Sequence, residues 1–197
     1  MERNYIRVKD FLSINSNSLI CQKNPVFKGE LMGLSNTKFD IYRDGCAVVT
    51  LYNALYINGY CRSFRDFLEN LSSNDALNVW GDINWEKFNR LNLCLRFLWM
   101  QDNEISNCDN VDNELLKKSA QEPALYPVVK LQSIYGVDRR HFMLVIDADS
   151  NNLSCLESSN PSGLISIRQI LYSEVIGARY LCVADALDQW KHIFGRG

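Results

Sequence analysis

The stretch Asp44-Gly45-Cys46-Ala47-Val48-Val49-Thr50-Leu51-Tyr52-Asn53-Ala54-Leu55 constrains this chain most. From Ala47 to Tyr60 there is no charge and no proline, and Val48, Leu51, Tyr52 and Leu55 recur at helical spacing. The pattern predicts a helix that Gly59 ends. Cys46 then stands at its N-terminus, where backbone N–H groups and the positive end of the dipole favour an anion. For cysteine that anion is the nucleophilic thiolate. Gly45 has no side chain, which suits close approach of a substrate. The competing reading is a buried cysteine that starts a core helix.

The remaining composition limits the function classes. The chain has 197 residues, of which 47% are hydrophobic and 22% charged, as in an ordinary soluble globular domain with a proper core. Its length suits a single domain over residues 1–197, with a lead-in over about 1–20, a core over 21–183 and a helical tail over 184–197. A net charge of -2 gives no footprint for nucleic acid, and Lys117-Lys118 and Arg139-Arg140 are too short to be basic patches. No run has the length of a transmembrane helix, and Met1-Glu2-Arg3-Asn4-Tyr5 lacks a signal-peptide core, so the expectation is synthesis in a reducing cytoplasm without membrane association, or exit by a route that needs no signal, in a phage particle or by lysis. Seven cysteines (21, 46, 61, 94, 108, 155 and 182) are widely spaced with no CxxC pair, so no metal site, cofactor or disulfide framework is expected.

Taken in order, residues 1–20 read as an irregular or partly helical lead-in, polar around Asn15-Ser16-Asn17-Ser18. Cys21 to Gly33 contains a proline and two glycines and reads as a loop-rich approach to the Cys46 helix. Ser63-Phe64-Arg65-Asp66 resembles a capping box that opens a helix to about Leu71. Asn84 caps another, with Trp85, Phe88 and Leu91 on one face. Leu93 to Met100 is a candidate strand, residues 101–113 a polar loop, and Val111 to Ala120 a helix. The period then changes. Tyr126 to Leu131, Arg140 to Ile146 and Leu153 to Ser158 read as strands, the last two joined by a turn at Asp149-Ser150-Asn151-Asn152. Tyr180 to Val183 is a fourth strand candidate and Asp185 to Phe194 a closing helix. Asp147 to Asn151 superficially matches a calcium loop, but Asn152 and Ser158 stand where glycine and glutamate are required, so a hairpin turn is the better reading. Helices first and an antiparallel sheet second make an α+β layout.

Thiol attack on an amide needs a nucleophile, a base and a group that orients the base. Of the two histidines, His192 lies in the polar tail helix and reads as surface decoration, whereas His141 opens an apolar strand. If residues 140–146 and 153–159 form a hairpin, His141 and Asn160 are neighbours, and Asn160 accepts from one imidazole nitrogen while the other faces the thiol. Separately, each residue has a plainer reading: a core or edge histidine for His141, turn chemistry for Asn160-Pro161-Ser162-Gly163. Gln22 is a candidate side-chain donor to the oxyanion, beside the backbone N–H of Cys46.

In combination, Gln22 with Pro25 following, Gly45-Cys46-Ala47 opening a helix that ends at Gly59-Tyr60, Ile83-Asn84-Trp85, His141-Phe142 opening a strand and Asn160-Pro161 closing the next resemble the papain-like cysteine peptidases. Specifically, the pattern resembles relatives of the bacteriocin-processing (double-glycine) peptidases of bacteria and phages. The resemblance covers about residues 20–183. It implies a papain-like fold and a Cys46 nucleophile, His141 base, Asn160 orienter and Gln22 oxyanion donor. Asn160 stands where many members of that group carry Asp. The implied activity is a cysteine peptidase or amidase acting on a polypeptide or on the peptide part of a cell wall. Two other readings remain open: a papain-like domain serving as a structural or binding module of a protein assembly such as a phage particle, and a transferase or deamidase using the same acyl-thioester chemistry.

Overall fold

The computed structural model describes residues 7–15, 18–32, 39–78, 81–102, 111–131 and 141–194; for 13–15 and 191–193 only the backbone is described. The start of the chain, Ser16-Asn17, most of the polar loop after residue 102 with Cys108, Arg139-Arg140 and the side chain of His192 lie outside the described residues.

The uncharged run forms a helix over Cys46–Ile57, and ten of its twelve residues are buried. With no polar face to keep in water, it is enclosed on nearly every side. Gly59 adopts φ 84°, and Tyr60 N donates to Leu55 O across it, closing the helix in the left-handed conformation that glycine tolerates best. Before it come α1 (Val8–Asn15), a 3-10 turn at Pro25–Phe27 and a four-residue helix α2 (Ile41–Asp44); the Cys46 helix is therefore α3. After it come α4 (Phe64–Ser73) and α5 (Trp85–Arg90). Ser63 and Asp66 form the expected capping box of α4, and the Asn84 side chain accepts from Lys87 N to cap α5.

Six strands follow: β1 (Leu95–Asp102), β2 (Leu125–Leu131), β3 (His141–Ala148), β4 (Asn152–Glu157), β5 (Ser166–Leu171) and β6 (Val175–Val183). Helix α6 (Asn113–Gln121) lies between β1 and β2 in the chain, and α7 (Leu187–Phe194) ends the described residues. The strands make one sheet in the order β1-β6-β2-β3-β4-β5, and every neighbouring pair is antiparallel. The arrangement is α+β, with N-terminal helices packed on a six-stranded antiparallel sheet. Strand β5 has no counterpart in the sequence reading. Its residues alternate only weakly, and Ile167 and Leu171 are exposed on this edge strand.

Three polar ties fix the sheet and the approach segment to α3. Thr50 Oγ1 donates to Phe142 O at 3.1 Å, which holds the first turn of β3 against the helix. Tyr126 Oη donates to Asn58 Oδ1 at 2.9 Å at the other end. The fully buried Asn53 accepts from Ile20 N and donates to Ile20 O, both at 2.9 Å, so its amide pairs with the main chain as a strand neighbour would. Residues 20–22 are thereby held beside α3, and Gln22 N bonds Ser158 O. Among the described residues, no helix is long and apolar enough to cross a membrane.

Candidate functional site

Cys46 is the first residue of α3 and is 9% exposed. No side chain caps that helix start; the residue before it is Gly45, which is also the C-cap of α2. A Cβ on Gly45 would stand 2.6 Å from Ile41 O. Gly45 thus has a packing role: it lets α2 run directly into α3 with no room for a side chain at the joint.

His141, the first residue of β3, is hydrogen-bonded to the side chains of both Cys46 and Glu157. Its Nε2 lies 3.0 Å from Glu157 Oε1 and 3.0 Å from Ser159 Oγ. The same carboxylate oxygen accepts from Ser159 N at 2.9 Å and from Ser159 Oγ at 2.6 Å. Three donors on one oxygen immobilise the carboxylate, and Arg168 stands 3.7 Å from its other oxygen.

The electrostatics follow from these contacts. Burial by itself disfavours a charged imidazole, but the bonds to Cys46 and Glu157 outweigh it and raise His141 to about 9. Burial likewise disfavours the Glu157 carboxylate; His141 and the two Ser159 donors reverse that and lower it to about 2. Near neutral pH the site therefore holds an imidazolium pinned by a carboxylate and hydrogen-bonded to Cys46.

Asn160, expected at the imidazole, is engaged elsewhere. Its amide nitrogen donates to Ser166 Oγ at 2.8 Å and its oxygen accepts from Ser162 N at 2.9 Å, which ties the turn after β4 to β5. The register explains the difference. Leu144 pairs with Leu156, so continuing toward the start of β3 brings Ser159 opposite His141, with Glu157 diagonal to it on the same face and Asn160 on the other. Closer to the turn, Asp147 pairs with Ser154, a register one residue different, and the irregularity between Val145 and Asp147 absorbs the extra residue.

Gln22 is 2% exposed, and its Nε2 donates to Tyr42 O at 3.3 Å, one turn of chain before Cys46. Its Oε1 is buried with no hydrogen-bond partner among the described residues. Next to it, the Cys21 thiol donates to Asn160 O at 3.6 Å. Burial, reinforced by the Glu157 charge, raises the Cys21 thiol above its ordinary range, so it is a neutral donor.

Sequence reasoning missed Glu157 and Ser159. The signal was present in the alternation of β4, where residues two apart share a face, but it could be used only with the register in hand. The six described cysteines are all free, and the described residues contain no group of three or more His, Cys, Asp or Glu able to hold a metal ion. The chain matches no protein-family model and no curated protein.

Proposed function

We propose that this protein is a cysteine peptidase or amidase of papain-like type, with Cys46 as nucleophile, His141 as acid and base, and Glu157 as the group that orients the imidazole. One observation carries the reading: a single imidazole bridges a helix-start thiol and a buried carboxylate. A structural cysteine has no need of such a partner, and a structural histidine has no need of both.

The chemistry runs as acyl transfer. His141 already holds the proton as an imidazolium, and Cys46 Sγ attacks the carbonyl carbon of the substrate amide. Helix α3 offers the positive end of its dipole to the oxyanion. Gln22 is the side-chain donor on the other side. Its present bond to Tyr42 is long and its oxygen has no partner, so turning the amide costs little. His141 passes the proton to the leaving nitrogen as the C–N bond breaks, leaving a thioester on Cys46. Water then attacks the thioester, giving a proton to His141, and the C–S bond breaks to release the acid and free Cys46 Sγ. Glu157 stays ionised and keeps one ring nitrogen protonated throughout. The substrate class in this reading is a polypeptide or a cell-wall peptide.

The test is incubation with an internally quenched peptide library, with wild type and Cys46→Ala compared, alongside iodoacetamide labelling read by mass spectrometry. The expected result is cleavage that is lost in Cys46→Ala and labelling fastest at Cys46. An intact library, together with labelling no faster at Cys46 than at Cys61, would overturn the reading.

A further inference from the structure

A basic pocket lies beside α2, lined in part by Lys23, the residue after Gln22. It measures about 440 Å³ and is lined by Lys23, Lys28, Gly29, Asp40, Tyr42 and Arg43. Two of its cations share one aromatic ring: Lys23 Nζ lies 4.7 Å and Lys28 Nζ 5.5 Å from the centroid of Tyr42. Lys23 also donates to Tyr42 O at 2.6 Å, the oxygen that receives the Gln22 amide. Asp40 accepts from Gly29 N at 2.7 Å and from Arg43 N at 3.0 Å, and Asp44 is paired with Arg43 at 2.8 Å. Lys28 forms no ion pair among the described residues. Lys28 therefore offers its ammonium group to a ligand carboxylate at this pocket.

We infer that this pocket is a subsite for an acidic side chain of the peptide substrate, a few residues from the scissile bond. The inference rests on the peptidase reading above. The geometric link is Tyr42: it lines the pocket, its carbonyl accepts from Gln22, and the chain reaches Cys46 four residues later. An Asp or Glu side chain of an extended peptide lying over Cys46 meets the ammonium groups there, whereas Lys or Arg at that position is repelled.

The experiment uses tetrapeptide vinyl sulfones in which Glu, Gln or Lys is placed at each position in turn, with adducts at Cys46 timed by mass spectrometry. At one position the Glu peptide should label Cys46 about fivefold faster than the Gln peptide, and the Lys peptide more slowly than either. Lys28→Gln should remove that advantage, Lys28→Arg should keep it, and added salt should shrink it. If Gln peptides label Cys46 and no position favours Glu, the subsite is wrong while the peptidase reading stands. If no peptide labels Cys46 although iodoacetamide does, the peptide-acting reading fails and the subsite with it.

Discussion

Glu157 Oε1 lies 3.0 Å from His141 Nε2, and both side chains are largely withdrawn from solvent. The pair sits at the end of neighbouring antiparallel strands, so its geometry is set by the sheet and not by a loop. The imidazole is held by Glu157 and hydrogen-bonded to Cys46.

Glu157→Gln should therefore weaken the site more than Asn160→Ala. The carboxamide still reaches the ring but no longer stabilises its charge, so the limb on which His141 loses its proton should fall from about 9 toward the ordinary imidazole range. Asn160→Ala removes bonds to Ser166 and Ser162 and leaves that limb in place. An NMR titration of the His141 imidazole between pH 5 and 10 measures both. An unmoved limb in Glu157→Gln would exclude it as the orienting group.

Selective labelling separates activation from access. Cys61 is exposed and Cys46 is buried, so accessibility alone favours Cys61. Limiting iodoacetamide should nevertheless modify Cys46 first, with Cys155 and Cys182, deep in the sheet, untouched. In His141→Ala the order should invert. Equal rates at Cys46 in wild type and His141→Ala would mean that the imidazole does not activate the thiol.

Stability should depend on pH through the same pair. His141 is raised from its ordinary 6.5 to about 9, so its contribution is full below about 6.5 and is lost as pH rises through 9. Glu157 is lowered from 4.5 to about 2, so its contribution is full above about 4.5 and is lost as pH falls through 2. The pair contributes most between about pH 4.5 and 6.5. Thermal melts of wild type and Glu157→Gln should differ most in that window and converge on both sides. A difference that is constant from pH 3 to 10 would show that Glu157 acts through packing alone.

The joint before Cys46 can be tested without chemistry. Cys46→Ala removes one sulfur at a helix start and should shift Tm by only a few °C. Gly45→Ala forces a methyl toward Ile41 O and should cost about 1–3 kcal/mol, visible in urea denaturation. If the order of the two is reversed, Cys46 is a packing residue.

Away from the site, Asp102 holds two buried cations: Lys130 Nζ at 2.9 and 3.0 Å and Arg179 Nη2 at 2.6 Å. Asp102→Asn should destabilise by about 3–5 kcal/mol, because it leaves buried charge without its counter-charge. The additional change Lys130→Met should recover part of that loss in the same urea titrations.

The sequence by itself determined the helix that carries Cys46, because an uncharged run with helical spacing and a closing glycine leaves one local solution. It also determined the caps at Ser63 and Asn84 and the β3–β4 hairpin, since capping and turn chemistry are settled within four residues. It brought His141 and the end of β4 together for the same reason. The choice between Asn160 and Glu157 was of another kind. A regular hairpin around the 149–152 turn pairs His141 with Asn160, which is the reading the sequence supports. The irregularity between Val145 and Asp147 shifts the register by one, and with a side-chain period of two that exchanges the faces. Nothing local to residues 140–160 prescribes that shift. It is decided where Thr50 bonds Phe142 and where β2 on one side and β5 on the other fix β3 and β4 in the sheet, contacts that exist only when the whole chain is folded.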